Sequence, residues 1–518
     1  MTAPVCVSCP PVKSKGIVYL VGAGPGDAGL LTLRGAELLA RADVVICDVL
    51  VNPELLQLAP ASAEIIGRGN HKRDGGLSQE EMTALVLARA QEGKCVVRLK
   101  GGDPYILGRG AEEAEALAAA GISFEVVPGV SSIAAVANYA GIPLTHRDHC
   151  SSFTVFTGHG EASDAATNLR YEQIAKIPGT KVVLMGADRL EDWTQSLIAH
   201  GMAAATPAAM IHRGTTGRQR SVVGTLGTIA ALAATEKMTP PVITVVGEVV
   251  KLRPKLNWFE KKPLLGCRSV VTRRSEQAGD FSRRLTELGA DVLAVPTIQL
   301  TIPENKQGLV DCLLSLNSYD WLVFTSANGV TWFFDFFFKR YKDMRDIGGA
   351  RIAAVGPATA AKLRDLHLQV DLMPEDHEGR SIAEAFAKFE SIENLKMCLL
   401  RAEAANPDLP LALQALGAIV DDIPVYRTVA ATEDRTGAAA RLRESGADWV
   451  TFTSGSTVEH FHARFHLPEL LKKYPDLKLA SIGPETSKAL RELKLEPTLE
   501  AKVHTTDGLI AALLKAKS

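Results

Sequence analysis

An internal repeat in the second half of the chain limits its possible folds more than any other feature. The segment DWLVFTSANGVTWFFDFF begins at Asp320, and the similar segment DWVTFTSGSTVEHFHARF begins at Asp448. A second pair, IAAVGPATAAKLRDLHL from Ile352 and LASIGPETSKALRELKL from Leu479, has nearly the same separation. Because a solenoid would need more and shorter repeats, two copies predict two similar α/β lobes. A ligand cleft between such lobes is expected.

Short β-branched runs alternate with helical patterns from Gly16 onward. Ser78 and Glu81 are spaced as a capping box that opens a helix. The alternation predicts an α/β lobe with a largely parallel sheet at about 16–150, and a second set of such runs predicts a second α/β lobe at about 151–251. The predicted strands are 17–21, 44–48, 64–67, 96–100 and 124–127 in the first lobe, and 153–157, 181–185, 208–212 and 241–250 in the second.

Composition excludes several classes of protein. A net charge of −2 gives no overall field that would attract nucleic acid. No apolar run approaches the ~20 residues of a membrane span, so no membrane association is expected. Residues 1–15 lack the apolar core of a secretory signal and are predicted to be a disordered tail of a cytoplasmic protein. The C-x-x-C pair Cys6 and Cys9 lacks the second ligand pair of a zinc site, so no metal is expected.

Residues 252–265 (LRPKLNWFEKKPLL) interrupt the α/β pattern with prolines and basic residues. We interpret them as a linker, partly anchored by Trp258 and Phe259, between domains at 16–251 and 266–518. Each domain is large enough to bury its own core. Cutting near Lys262 is therefore expected to give two soluble fragments.

Glycine-rich segments follow two of the predicted strands. VGAGPGD at 21–27 gives G-x-G-x-G rather than the dinucleotide pattern G-x-G-x-x-G, which leaves a structural turn or an NAD-dependent oxidoreductase as alternatives. RLKGGDPYILGRG at 98–110 places an open loop at the carboxyl end of a strand, where parallel sheets bind ligands. VVPGVSSIAA at 126–135 offers Ser131 or Ser132 as a helix cap.

These segments, together with GIPLTHRD from Gly141, GHG at 158–160, LMGA around Met185 and the tail PPVITVVGEVVKLRPKLNWF, resemble the uroporphyrinogen-III C-methyltransferase family over about 16–259. The resemblance implies two lobes with S-adenosyl-L-methionine in the cleft, methylation of two tetrapyrrole carbons to give precorrin-2, and a homodimer formed through this part. The cofactor-binding residues implied are Pro25, Gly101, Gly102, Asp103, Ile106, Ser131, Ser132, Met185 and Gly214.

Asp48 closes the predicted strand VVICD and matches the family's proposed base. The alternative is an aspartate that caps the next turn. The family usually has Asp-Arg-Leu-Val where this chain has Asp-Val-Leu-Val from Asp48, and Lys where this chain has Arg68. Because arginine is a poor proton donor, Arg68 is expected to bind a substrate carboxylate. Further candidates for the carboxylates of the substrate are Arg109 and Arg147, with His71, Lys72, Arg73 and His146.

The repeated FTS and GPxT segments place hydroxyls and backbone N–H groups at helix N-termini, which suit carboxylates. Ordinary N-capping is the alternative. With VVTRR at 270–274, DDIPVYRT at 421–428 and HTTDGLIAAL at 504–513, they resemble uroporphyrinogen-III synthase over about 266–514. That family needs no cofactor and closes hydroxymethylbilane into uroporphyrinogen III with inversion of the last ring.

The synthase resemblance also implies discontinuous lobes, at about 266–300 with 429–518, and at 301–428. Tyr426 matches a family tyrosine that assists departure of the hydroxyl group. The residues expected to bind acetate and propionate groups are Arg273, Thr325, Ser326, Thr359, Thr453, Ser454 and Thr486. The whole chain is therefore expected to be a two-enzyme fusion, with an NAD-dependent oxidoreductase or a non-catalytic tetrapyrrole-binding protein as alternatives. The sequence leaves open whether precorrin-2 goes to sirohaem or cobalamin.

Overall fold

Apolar, β-branched runs form strands, and the segments between them form helices, so the expected α/β class is confirmed. The computed structural model describes residues 16–67, 77–158, 170–273, 275–374 and 379–517. Within them lie four five-stranded sheets. The chain divides into two units: one runs to Val295 and resumes at Glu433, and the other is Pro296–Thr432.

The first sheet is wholly parallel and has the order β3-β2-β4-β1-β5. All four residues of β2 and five of the six in β4 are buried, as in sheets covered by helices on both faces. The buried strands of this sheet are therefore mostly apolar runs in the sequence. The strands predicted from these runs agree with the structure. Its strands are β1 Ile17–Gly22, β2 Val44–Cys47, β3 Glu64–Gly67, β4 Cys95–Lys100 and β5 Ser123–Val127.

The second sheet is mixed, with the order β6-β7-β10-β8-β9. The sequence analysis missed β9, and it extended the last strand too far, because residues after Gly247 form a helical turn. Gly247 itself has φ 148°, a conformation that ends the strand. The strands are β6 Phe153–Thr157, β7 Thr180–Leu184, β8 Pro207–His212, β9 Arg220–Thr225 and β10 Val242–Val246.

The third sheet belongs to the same unit and is parallel, in the order β12-β11-β18-β19-β20. Its first two strands precede the second unit in the sequence, and the other three follow it. The lobe is therefore discontinuous in sequence. Its strands are β11 Arg268–Val271, β12 Asp291–Ala294, β18 Trp449–Phe452, β19 Lys478–Ser481 and β20 Leu499–Glu500.

The fourth sheet forms the second unit, in the order β13-β17-β16-β14-β15 with only β13 antiparallel to its neighbour. The internal repeat is visible in its register. Trp321 of β14 lies opposite Arg351 of β15, and in the third sheet Trp449 lies opposite Lys478. The strands are β13 Ile298–Thr301, β14 Trp321–Phe324, β15 Arg351–Ala354, β16 Lys396–Ala402 and β17 Ile419–Ala430.

Helices connect the strands, and the predicted capping box is present, since Ser78 and Glu81 each accept a backbone hydrogen bond from the other. No helix of the described residues is long and apolar enough to span a membrane. The helices are α1 Leu33–Leu39, α2 Gln79–Gln91, α3 Gly110–Ala119, α4 Ser132–Tyr139, α5 Tyr171–Lys176, α6 Leu190–Ala199, α7 Ile229–Thr235, α8 Arg253–Leu256, α9 Ser275–Glu287, α10 Gln307–Leu314, α11 Ala327–Arg340, α12 Pro357–Asp365, α13 Gly379–Phe389, α14 Asp408–Ala415, α15 Ala438–Ser445, α16 Gly455–Phe465, α17 Leu467–Lys473, α18 Pro484–Glu492 and α19 Thr506–Lys517.

The proline-rich segment 252–265 is packed against structure on both sides. The Phe259 ring lies 4.8 Å from that of Tyr139, and the Trp258 indole N–H donates to the carbonyl of Asn138 at 3.2 Å. Leu264 is buried in the core under the third sheet, and Gly266 N donates to the Gly217 carbonyl at 2.8 Å. The segment therefore joins the two halves of the chain through a packed connection.

The aromatic face of α11 gives a test of the core of the second unit. Phe333 is fully buried with its ring 5.6 Å from that of Phe324, whereas Phe338 on the same helix is 47% exposed. We expect Phe333→Ala to lower the free energy of unfolding of this unit by about 3–5 kcal/mol. The matched control, Phe338→Ala, should cost less than about 1 kcal/mol. Urea denaturation followed by tryptophan fluorescence measures both, and equal losses would contradict this packing.

Candidate active sites

Three loops of the first sheet meet at their glycines, where backbone lies directly against backbone. A Cβ atom on Gly129 would lie 2.2 Å from the carbonyl oxygen of Gly102, and one on Gly22 would lie 2.5 Å from Cα of Gly129. Gly102 N donates to the Gly24 carbonyl at 2.8 Å, and Gly102 has φ 65°, which favours glycine. The loops after β1, β4 and β5 thus converge without side chains between them. Such a cradle leaves backbone groups free to contact a ligand.

Asp103 joins two of these loops. Its Oδ1 accepts from Tyr105 N at 2.9 Å, and its Oδ2 accepts from Gly129 N at 3.0 Å. Ser131 accepts from Ile133 N and caps α4, whose first residue is Ser132, so the expected helix cap is Ser131. Because each carboxylate oxygen has a second acceptor site, Asp103 keeps the capacity to accept from ligand hydroxyls.

The loop after β8 reaches the first glycine loop. Thr215 Oγ1 accepts from Asp27 N at 3.0 Å, across the boundary between the two lobes of this half. A Cβ on Gly214 would lie 2.5 Å from Cγ1 of Val136 in α4. Arg213 and Thr215, on either side of Gly214, both have positive φ. The structure therefore brings Gly214 and the loop that carries Pro25 into one region, as the sequence analysis expected.

Met185 follows β7 and is half-exposed, with φ 53°. Strand β10 lies between β7 and β8, and its Ile243 is opposite Leu184 of β7 on one side and Ile211 of β8 on the other. Met185, directly after Leu184, therefore lies two strands away from the loop that follows β8. A non-glycine residue in this backbone conformation is often found at a ligand site. Ile106 is also largely exposed, in the loop after β4. Both apolar side chains are therefore accessible to a ligand.

Asp27 has a second partner in Tyr139. The phenol donates to Asp27 Oδ2 at 2.7 Å, and burial together with this carboxylate raises the pKa of Tyr139 above its usual value. The same ring packs against Trp258 and Phe259 of the connecting segment. The glycine loop is therefore connected, through Tyr139, to the segment that joins the two halves.

Asp48 lies immediately after β2, where its backbone N–H donates to the Leu99 carbonyl at 3.1 Å. Its Oδ1 is 2.5 Å from Nη2 of Arg98, which is fully buried. The carboxylate itself stays partly exposed and lines a cavity of about 550 Å³. Asp48 is thus both accessible and held in place by a charged neighbour.

A buried network lies behind Asp48. Glu113 Oε1 on α3 accepts from Arg98 Nη2 at 3.2 Å, from Lys100 Nζ at 3.0 Å and from Gln79 Nε2 at 2.6 Å. Burial, and then the charge of Arg98, lower the pKa of Lys100, while its ion pair with Glu113 opposes the shift. Sequence reasoning missed this network. Its only signal was two basic residues at alternate positions of an apolar strand, which point to one face.

The structure does not gather the predicted carboxylate-binding arginines of the first half. Arg109 precedes α3 and forms an exposed ion pair with Glu112 at 2.6 Å, and Arg147 is exposed in another loop. Neither lines the cavity at Asp48. The predicted ligands and motif residues that lie outside the described parts of the chain are Cys6, Cys9, Arg68, His71, Lys72, Arg73, His159 and Gly160.

In the second unit, two of the predicted residues meet. The Tyr426 hydroxyl lies 3.2 Å from Oγ of Ser326, which also caps α11 by accepting from Gly329 N at 3.1 Å. Thr325 is partly exposed beside them, whereas Thr359, in the first turn of α12, is almost fully buried. Tyr426 and Ser326 therefore form a hydroxyl pair at the N-terminus of a fourteen-residue helix.

In the first unit, the corresponding serine and threonines have similar positions at the starts of two helices. Ser454 caps α16 by accepting from Thr457 N, and Thr453 beside it is partly exposed. Thr486, in the first turn of α18, is almost fully buried like its counterpart in the second unit. Arg273 follows β11 at the same edge of the sheet. No group of acidic, histidine or cysteine side chains that could hold a metal is found in the described ranges.

Comparison with known proteins decides the family. Residues 17–230 match the model of Tetrapyrrole (Corrin/Porphyrin) Methylases, and residues 279–511 match that of Uroporphyrinogen-III synthase HemD. Over 503 residues the chain is 38% identical to the porphyrin biosynthesis protein HemD of Ruminiclostridium josui, covering 96% of this chain and 98% of that protein. The chain belongs to this family of fused proteins. We refer to the two matched ranges as the methylase half and the synthase half.

The methylase half has further relatives. Over 237 residues the chain is 49% identical to the S-adenosyl-L-methionine-dependent uroporphyrinogen III methyltransferase of Methanosarcina barkeri, which covers 46% of this chain and 93% of that protein. Among solved structures, the uroporphyrin III C-methyl transferase of Thermus thermophilus is 38% identical, with a TM-score of 0.40 that covers 46% of this chain and all of that one. The matched part of the chain therefore corresponds to nearly the full length of the Methanosarcina barkeri protein.

The buried network of the methylase half gives a test of stability. Arg98→Met removes the buried charge that bonds both Asp48 and Glu113, so it should lower the free energy of unfolding by about 3–5 kcal/mol. Arg34 pairs with Glu125 at 3.1 Å on the surface of the same sheet, and Arg34→Met should have a much smaller effect. Urea unfolding of both variants distinguishes the two environments. An Arg98→Met protein as stable as the control would contradict the network.

Proposed function

We propose that this chain is a bifunctional enzyme of tetrapyrrole biosynthesis. The synthase half would close hydroxymethylbilane into uroporphyrinogen III with inversion of the last ring, and the methylase half would methylate that product twice to give precorrin-2. The observation that carries the proposal is the presence of both family matches, in residues 17–230 and 279–511, on one chain. The partners in this proposal are small tetrapyrroles.

The cradle of the methylase half fits S-adenosyl-L-methionine, which supplies an electrophilic methyl group when bound. Gly22 and Gly129 leave no space for side chains, Gly102 has φ 65°, and the three loops offer backbone groups to the nucleoside. Asp103 keeps acceptor sites for ribose hydroxyls. Ile106 and Met185 offer exposed apolar surface to the rest of the molecule. These features support the predicted cofactor role of the glycine loops.

Asp48 is proposed as the group that takes a proton from the methylated ring. A carboxylate in this position also favours the positive charge that develops on the pyrrole during methyl transfer. Arg98 donates to Oδ1, so the carboxylate is oriented while one edge remains open to the cavity. The methylase half thereby aligns two reacting centres, which is its main contribution to the rate.

Tyr426 is proposed to assist loss of the hydroxyl group from hydroxymethylbilane. Its phenol would donate a hydrogen bond to the departing oxygen. The Ser326 hydroxyl, 3.2 Å away, would orient the phenol. The N-terminus of α11 beside them favours the negative charge of a substrate carboxylate. The substituted carbon of the last ring would then attack the azafulvene cation left behind, which gives a spiro intermediate.

Several broader features belong to the same proposal. The domain limits are 16–251 and 266–518, and the methylase half forms a homodimer, which sedimentation of the purified chain would test. A cytoplasmic location is supported by the free thiols of Cys47, Cys267, Cys312 and Cys398, which are typical of a reducing compartment. Whether the product serves sirohaem or cobalamin depends on the enzymes that follow.

The decisive experiment supplies the purified chain with hydroxymethylbilane and S-adenosyl-L-methionine and follows the products by mass spectrometry. We expect conversion first to uroporphyrinogen III and then to the dimethylated product. Binding of either compound without conversion would make the chain a tetrapyrrole-binding protein and would overturn the proposal.

Asp48→Asn should slow methylation of supplied uroporphyrinogen III by roughly 10²–10⁴-fold, because the amide cannot take the proton but still accepts from Arg98. Cyclisation by the same preparation serves as its internal control and should be unchanged. Single-turnover assays with mass detection measure both reactions. Methylation at the wild-type rate would remove Asp48 from the chemistry.

Tyr426→Phe should give the opposite pattern. Cyclisation should slow, so that more of the bilane closes without catalysis to the uroporphyrinogen I isomer, while methylation of supplied uroporphyrinogen III stays at the wild-type rate. Chromatographic separation of the isomers measures the ratio. An unchanged ratio and rate would reduce Tyr426 to a packing residue.

A further inference from the structure

The cavity beside Asp48 has walls from both halves of the chain. One wall consists of residues of the methylase half around β2 and β3, among them Cys47, Leu56 and Ile65. The other wall is 433–437, the segment with which the chain re-enters the first unit after the second. At about 550 Å³ the cavity has the size of a ligand site. The candidate base of one enzyme therefore faces a segment of the other.

Arg435 is fixed in this second wall. Its Nη2 donates to the carbonyl of Pro60 at 2.6 Å, a contact between residues 375 positions apart in the sequence. The side chain is partly buried. Because a guanidinium has five N–H donors, this one hydrogen bond leaves most of the planar fork available.

The charges that line the cavity differ in whether they have a partner. Asp48 is paired with Arg98, and Asp434 accepts from the backbone of Ala439 and Ala440 at the start of α15. Glu433 is exposed to solvent, which screens its charge. Among the described residues, Arg435 donates to a neutral carbonyl, that of Pro60. Arg435 is therefore the charge in this wall that is suited to a carboxylate from outside the protein.

We propose that Arg435 binds a carboxylate of the tetrapyrrole during methylation, so that the synthase half completes the substrate site of the methylase half. The inference rests on the proposed function and goes beyond it, because it assigns a binding residue of one reaction to the half that catalyses the other. A guanidinium and a carboxylate form paired, charge-assisted hydrogen bonds with defined geometry. Such a contact positions the ring that faces Asp48.

The test uses the full chain and three variants, Arg435→Ala, Arg435→Gln and Arg435→Lys. Initial rates of methylation are measured against uroporphyrinogen III at saturating S-adenosyl-L-methionine. Arg435→Ala should raise the KM for uroporphyrinogen III by about 10-fold or more. Arg435→Gln keeps an N–H donor for Pro60 but no charge, and should behave similarly. Arg435→Lys keeps the charge without the fork and should fall between these variants and the wild type.

Two controls separate binding from general damage. The KM for S-adenosyl-L-methionine and the rate of bilane cyclisation should be unchanged in all three variants. Arg283→Ala removes an exposed arginine of the same half, on α9, and should leave every parameter unchanged. An unchanged KM for uroporphyrinogen III in Arg435→Gln would overturn the proposal. An equal rise in Arg283→Ala would overturn it too, because overall charge would then explain the effect.

Binding alone provides a separate readout. Titration of uroporphyrin III, the oxidised and stable form of the substrate, into the full chain should show the same loss of affinity in Arg435→Gln. If the wild type binds uroporphyrin III through Arg435 but does not methylate uroporphyrinogen III, the proposed function fails, while Arg435 remains a residue that binds a tetrapyrrole carboxylate. If the wild type methylates and Arg435→Gln binds and reacts normally, the inference fails alone.

Discussion

The buried guanidinium of Arg98 organises the methylase half. It lies on the central strand β4, donates to the carbonyls of Ile46 and Leu99, and bonds both Asp48 and Glu113. Burying such a charge is costly unless its hydrogen bonds are satisfied, and the carboxylates on either side offset the cost. Since β4 continues directly into the glycine loop, one strand fixes both the candidate base and the cofactor cradle.

The two halves share one constraint although their proposed reactions differ. In parallel sheets the carboxyl ends of neighbouring strands lie at one edge, where loops can gather side chains and helix N-termini. Asp48 and Asp103 follow strands of the first sheet in this way, and Ser326 and Ser454 follow the repeated strands of the synthase half. The methylase half presents backbone and carboxylates there, whereas the synthase half presents hydroxyls at helix caps.

Sequence patterns predicted local structure well, because buried parallel strands are apolar runs and caps are local. They missed β9, an edge strand of the second sheet whose partly exposed residues lack an apolar run. Tyr426 was assigned by motif, but its contact with Ser326 required the fold. The partnership of Arg98 with Glu113, and the place of Arg435 beside Asp48, depend on segments far apart in sequence. The residue pattern of a single segment contains no information about such long-range contacts.

The insertion of one unit within another also has a consequence for the entropy of folding. Arg268 N, at the start of β11, bonds the Asp448 carboxylate across 180 positions of sequence, and closing so long a flexible loop carries an entropic cost. The ends of the inserted unit lie side by side, since Ala431 N donates to the Thr297 carbonyl at 2.9 Å. Once that unit has folded, β11 and β18 are separated by a short connection. If the middle of the chain folds first, the loop that must close before β11 and β18 pair is shorter, and the entropic cost of closing it is lower.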